Sequence, residues 1–296
     1  MPTLGSRALQ TLRADEIDAL YTTLRGKIAE RSIVFVHVVL GACIAAAVRQ
    51  RLLPTSPMKY LSKVPSAPEG DQDHGVALDP EQTRQLIAGF RGHPLYPLVV
   101  TALGTGARRN ELLALLWSDL DVAAKTLRIE RSLERTRGGL AIKGPKTRRG
   151  MRTITIDDEL LGLLIAERER HLRIAAGVPD GVTVDLTLIK LPEGALIFPG
   201  TPLGGSGFSF TAFRNPSSVT GVFLRVARRL GFPKLRFHDL RGTSVTQMLN
   251  RGVPPHIVAK RHGHDVATMM RAYAKALPQD DAAAAAVMGD MLKGVL

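Results

Sequence analysis

Residues 61–75 read LSKVPSAPEGDQDHG, and no regular element passes through them. Prolines, glycines and acids follow one another too closely for a helix or strand to continue. A chain of 296 residues broken there has a short N-terminal unit, to about residue 70, and a longer one from about 75 to 296. The longer one is large enough to bury a core of its own. Charge divides at the same place. Residues 1–73 carry a net +2 and residues 74–296 a net +11, from a total of +13.

A pI near 10.4 with a mean hydropathy of +0.04 describes a folded, soluble, strongly basic protein. Such a protein seeks phosphate, in nucleic acid before an anionic membrane surface. The single cysteine, Cys43, excludes a disulfide scaffold and any Cys-based zinc site, and suits a reducing compartment. Aromatics at 5% argue against a stacking platform for single strands. The apolar run Ile33–Val48 falls short of the ~20 residues that span a bilayer, so it predicts a buried helix and no membrane role. The N-terminus, MPTLGSRALQTLRADE, lacks the apolar stretch of a signal peptide. An intracellular protein is expected.

Most of the chain reads as helix. Segments Arg13–Leu24 and Arg31–Leu52 precede the break; Asp79–Phe90 follows it, with Asp79 as N-cap and Pro80 in the first turn. Further helices are expected at Asn110–Leu120, Asp157–Leu172, Gly221–Leu230, Arg241–Leu249, Pro255–Arg261 and Asp265–Ala276, with a last one over the alanine-rich end, 281–296. Between Lys125 and Arg152 the pattern changes. Residues 126–130 and 152–156 alternate with period two, and turn-forming glycines lie between them. Ten of the basic residues fall in this segment, against only Glu130 and Glu134. The fold class is therefore mainly α with a small antiparallel β-sheet. Ala195–Phe198 also reads as strand-like, inside a Gly-, Ser-, Thr- and Pro-rich stretch, 178–220.

Four segments carry chemistry: TGARRNELL (105–113), PKTRR (145–149), FHDLRGT (237–243) and HGH (262–264), with Tyr273 nine residues after His264. His238 and Arg241, three apart, share one helix face, and Arg108 stands at a helix entrance. Two converging guanidiniums suit an oxyanion held by forked donors, the way arginine grips phosphate. A tyrosine can be a covalent nucleophile; at an unperturbed pKa of ~10 it needs cationic neighbours. A lysine can supply the proton that a leaving alkoxide needs. Glu111 and Asp239 read as carboxylates that orient arginines. His262 and His264 have no evident third partner for a metal, and Leu112, Leu113, Leu115, Leu116 and Trp117 read as core. No cofactor and no metal is called for.

In order and spacing, over about residues 75–280, these segments resemble the tyrosine recombinase (phage integrase) family. TGARRNELLALLWSDLD is similar to its first arginine box, with Arg108 at the catalytic arginine. PKTRRGMRTI resembles the β-hairpin lysine motif, with Lys146 at the lysine. FHDLRGT matches the His-x-x-Arg box at His238 and Arg241, and HGHDVATMMRAY the histidine box and nucleophile at His264 and Tyr273. The N-terminal helices resemble the family's helical core-binding (SAM-like) domain, shortened at its start and without an arm-binding segment before it. Where the family usually has Leu-Gly-His, this chain has His262-Gly263-His264; His262 is expected to fill an apolar packing position.

The resemblance implies a catalytic domain over 75–296 and a site-specific DNA recombinase working through a 3′-phosphotyrosyl intermediate without metal or ATP. Its partner would be double-stranded DNA. It would assemble as a homotetramer on paired sites through the C-terminal helix, with room for accessory DNA-bending proteins. Its setting would be the cytoplasm and nucleoid of a bacterium, phage or mobile element. Two alternatives stay open: a DNA-binding regulator without catalysis, drawing on a helix-turn-helix reading of 243–262, and a nicking-closing enzyme like the type IB topoisomerases.

Overall fold

The computed structural model describes residues 3–5, 7–66, 75–144, 150–200 and 208–273, the last three without their side chains. The chain forms two compact units, 1–73 and 74–296.

In the first unit α1 (Ala14–Leu24) and α2 (Glu30–Arg49) close over Ile17, Tyr21, Ile33, Ile44 and Ala47. The Tyr21 hydroxyl meets His37 Nδ1 at 3.0 Å, and the Ser62 amide donates to Asp18 at 2.9 Å. The expectation that Ile33–Val48 is buried does not hold. The helix extends to 20 residues, long and apolar enough by length and composition to cross a membrane, and its buried residues are only Ile33, Ile44 and Ala47. Phe35, Val38 and Val39 are exposed. Helix α1 and residues 53–61 cover part of α2, and an all-round apolar sequence leaves the rest bare.

The second unit starts with α3 (Pro80–Phe90), whose entrance is a reciprocal capping box between Asp79 and Gln82. Next come α4 (Tyr96–Thr105), largely buried, and the single-turn α5 (Arg109–Leu112). The sheet follows. β1 (Leu120–Asp121), β2 (Thr126–Ile129) and β5 (Arg152–Thr155) form one antiparallel sheet in the order β1-β2-β5, with Leu127 opposite Ile154. β3 (Ser132–Thr136) and β4 (Gly139–Lys143) form a separate hairpin. Then come α6 (Asp158–Ala176), α7 (Pro216–Arg229), α8 (Asp239–Asn250), α9 (Pro255–His262) and α10 (Val266–Tyr273). Phe90, Phe223 and Phe237 are in ring contact at the core. A smaller apolar cluster of Val245, Leu249, Val258, Ala259 and Met269 joins α8, α9 and α10.

Three expected elements differ. The helix expected over Asn110–Leu120 stops after Leu112, and Leu112–Leu115 are all buried in an irregular segment. The backbone pairs elsewhere: Ile197 N donates to Leu115 O and Trp117 N to Ala195 O. Residues 195–198 accordingly form an isolated bridge, Leu116 to Leu196, and no strand. Helix α7, expected from Gly221, begins at Pro216 inside the Gly-, Ser-, Thr- and Pro-rich stretch, with Asn215 as its cap.

Candidate active site

The loop Gly106–Arg108 joins α4 to α5 and sets the site's floor. Gly106 sits at φ +61°, and a Cβ there would lie 2.1 Å from His262 Nε2, so only glycine admits this histidine. His262 is fully buried; its Nδ1 meets Val258 O at 2.8 Å and its Nε2 meets Ser244 Oγ at 3.2 Å. Nδ1 therefore donates. Burial, offset only in part by the Val258 contact, takes its pKa down to about 3.

Arg241, on the first turn of α8, is 3% exposed. Its Nη1 donates to Gly106 O at 2.6 Å, and its Nη2 to His262 O and to His264 Nε2, the last at 2.6 Å. One guanidinium thus ties three distant segments together. His264 accepts through Nε2, so its proton is on Nδ1, which is buried without a partner among the described residues. Burial first, then the charges of Arg241, Arg108 and Arg152, push the His264 pKa down to about 3. His238, the N-cap residue of α8, is exposed and lowered by desolvation, then by Arg241. Asp239 pairs with Arg236 at 2.9 Å.

Arg108 caps α5 with its side chain 44% exposed. Its Nη1 donates to Glu111 Oε1 at 2.8 Å, and its amide to Glu111 Oε2 at 2.9 Å. Glu111 serves a second arginine that the motifs did not point to. Arg152 Nη2 donates to Glu111 Oε2 at 2.9 Å, with the two side chains 5% and 8% exposed. Burial alone would raise the Glu111 carboxyl; Arg152 first, then Arg108, hold it below the usual range. A signal for Arg152 was in the sequence: on β5 it shares the inward parity of Ile154.

A cavity of about 850 Å³ opens over these groups, lined among others by Arg108, Arg109, Arg131, Arg236, His238 and Gly263. Arg109 is held by the neutral oxygens of Asn110 and Thr220, and desolvation lowers its pKa. Arg131 is held by buried Asp119. Four of the expected residues, Arg108, His238, Arg241 and His264, therefore meet at one place. Lys146 lies outside the described residues. Tyr273 is the last residue of α10, whose buried Met269 anchors the helix to α8 and α9. Among the described residues, no group of three His, Cys, Asp or Glu gathers as a metal site.

Residues 77–280 match the sequence profile of the Phage integrase family. The chain belongs to that family, the tyrosine recombinases. It is 27% identical over 239 residues to a tyrosine recombinase XerC-like protein of Caldanaerobacter subterraneus subsp. tengcongensis, covering 77% of this chain and 58% of that one. It is 25% identical over 279 residues to an integrase of Streptomyces ambofaciens, covering 89% and 64%. The chain spans only about six-tenths of the length of these curated relatives. Among solved structures, the Tn1549 transposon integrase in complex with transposon right end DNA superposes with a TM-score of 0.70 at 20% identity, over 99% of this chain and 89% of that one. A lambda integrase dimer bound to a core site gives 0.63 at 14% identity, over 91% and 82%. These likenesses place the fold.

Proposed function

We propose that this chain is the DNA-cleaving and rejoining part of a site-specific recombinase. One observation carries the reading: in a chain of this family, Arg108 and His238 line one basic cavity, Arg241 and His264 are hydrogen-bonded to each other within electrostatic reach of both, and the helix that ends at Tyr273 packs on the elements that hold them.

Tyr273 attacks the scissile phosphorus as a 3′-phosphotyrosyl bond forms and the bond to the 5′-oxygen breaks. Arg108 and Arg241 hold the non-bridging oxygens, against which charge builds; losing one such donor costs roughly 10²–10³ in rate. His238 and His264 hydrogen-bond the phosphate and help move the tyrosine's proton. Lys146 gives its proton to the departing 5′-oxygen. The phosphotyrosyl bond keeps the energy of the phosphodiester, so a 5′-hydroxyl from a partner duplex reseals the strand by the reverse step, and the scheme calls for neither metal nor ATP.

Duplex DNA is the substrate, held by a catalytic unit over 75–296 with the helical unit to about residue 70 as its core-binding companion. Solved structures of similar fold include integrase–DNA complexes, among them a lambda integrase tetramer bound to a Holliday junction, which supports a tetramer on paired sites. The setting is the cytoplasm of a bacterium carrying a phage or mobile element.

The test is leaving-group chemistry on a duplex recovered from a random-sequence pool by Tyr273→Phe protein. Lys146→Ala should slow cleavage of the ordinary strand, and a 5′-phosphorothiolate, which leaves without a proton, should restore it. Without rescue, Lys146 is not the acid. Two-site exchange without supercoil relaxation would set the recombinase apart from a nicking-closing enzyme.

A further inference from the structure

At the cavity wall two arginines, Arg108 and Arg152, share one carboxylate, Glu111. Arg108 and Glu111 line the cavity, the first half-exposed and the second nearly buried; Arg152, also buried, lies outside its lining. Arg108 gives only its amide and Nη1 to Glu111, and its Nε and Nη2 make no hydrogen bond among the described residues. Arg152 closes the opposite side of the carboxylate with both terminal nitrogens, at 2.9 and 3.4 Å. The rest of its guanidinium is fixed by backbone: Nε donates to Arg261 O at 2.8 Å and Nη1 to Gly150 O at 3.1 Å. Both carbonyls sit next to proposed site segments in the sequence, one just before His262 and one just after the segment that bears Lys146. A buried carboxylate needs a countercharge. Had Glu111 only Arg108, the pair would sum to zero and face the phosphate as a dipole. With Arg152 the cluster sums to one positive charge.

We propose that Arg152 is a positioning residue that occupies the inner side of Glu111, so that Arg108 is held by the carboxylate without having its charge cancelled by it. Glu111 then aims the Arg108 fork, and Arg152 keeps the net charge at the cavity wall. This rests on the reading that Arg108 stabilises charge on the scissile phosphate. It also explains why a strand places arginine at an inward position beside Ile154, where a hydrophobic residue would pack at less desolvation cost.

The experiment measures covalent adduct on a nicked duplex carrying the site recovered with Tyr273→Phe protein, with the scissile linkage either ordinary phosphate or neutral methylphosphonate. Arg152→Gln leaves the cluster with no net charge and should slow adduct formation by roughly 10²-fold, the order of one lost oxyanion donor. Adding Glu111→Gln restores one positive charge, so the double variant should run about tenfold faster than Arg152→Gln alone, a coupling that independent structural damage does not produce. On the methylphosphonate, which develops no second negative charge, the defects of Arg152→Gln and Arg108→Ala should both shrink to a few-fold. If Arg152→Gln does not fold, Arg152→Lys, which keeps the charge, decides. It should form adduct at within about tenfold of wild type.

A double variant no faster than Arg152→Gln, or an Arg152 defect equal on both linkages while that of Arg108→Ala shrinks, would show that Arg152 is only a buried prop. An Arg152→Lys defect as large as that of Arg108→Ala on both linkages would show the same. If Arg108→Ala itself gains nothing on the methylphosphonate, the reading of Arg108 is what fails.

Discussion

Histidine 262 shows how much one side chain constrains its surroundings. Its ring is neutral and buried, and fills the space that Gly106 leaves. A linked prediction follows from its depressed pKa of about 3. The unfolded chain takes up this proton near pH 6.5 and the folded chain does not until far lower, so the folded state loses stability as pH falls through that window and has it in full above. Well inside the window the slope is about 1.4 kcal/mol per pH unit for one group. Urea melts at pH 5, 6 and 7 should show a shallower dependence for His262→Leu than for wild type; an unchanged slope would mean the ring is charged in the folded protein. That His262 packs as an apolar residue would was legible in the sequence, from the leucine the family usually has there. The depth of its contact with Gly106 was not, since 156 residues separate the two. Asp239 reads from its neighbourhood as a partner of Arg241, but it is Arg236 that it pairs with.

At the level of elements, period-two alternation located β2 and β5, and the Asp79-Pro80 and Asp157 caps located the starts of α3 and α6. Helix α4 escaped notice because its sequence is apolar on nearly every side, which leaves no helical stripe to read. Yet α4 ends in the turn on which the site depends. Gly106→Ala would place a side chain at positive φ and against His262, a cost of about 3 kcal/mol from backbone strain and overpacking together. In a unit this size that lowers Tm by roughly 6–12 °C. His262→Ala in the same chain removes the clash and should recover part of the loss, as differential scanning calorimetry of the four proteins in the cycle would show. Losses that simply add would mean that the two positions do not touch.

The molecule as a whole is two units with unequal charge, and the larger one concentrates basic side chains on the cavity wall. Binding to duplex DNA should weaken steeply with salt, with a log–log slope of roughly −0.9 for each phosphate neutralised. Arg109, held only by neutral oxygens among the described residues, should account for about one such increment, and Arg109→Ala should flatten the slope by ~0.9. Fluorescence anisotropy across a salt series reads both, and a wild-type slope near zero would remove the DNA reading. The C-terminal helix expected over 281–296 lies outside the described residues. Deleting 282–296 should abolish cooperative assembly on paired sites in a gel-shift titration and spare single-site binding; assembly that survives would mean this segment packs on its own protomer.

On the proposed chemistry, Tyr273 becomes covalently joined to DNA. Wild-type protein and Tyr273→Phe would be incubated with a nicked duplex carrying the selected site, digested with protease, and the DNA-linked peptide sequenced by mass spectrometry. One peptide is expected, containing Tyr273 with a 3′-phosphate nucleotide on its phenolic oxygen, and none from Tyr273→Phe, which should bind the duplex as tightly as wild type. An adduct that persists in Tyr273→Phe, or one mapped to another residue, would contradict this chemistry.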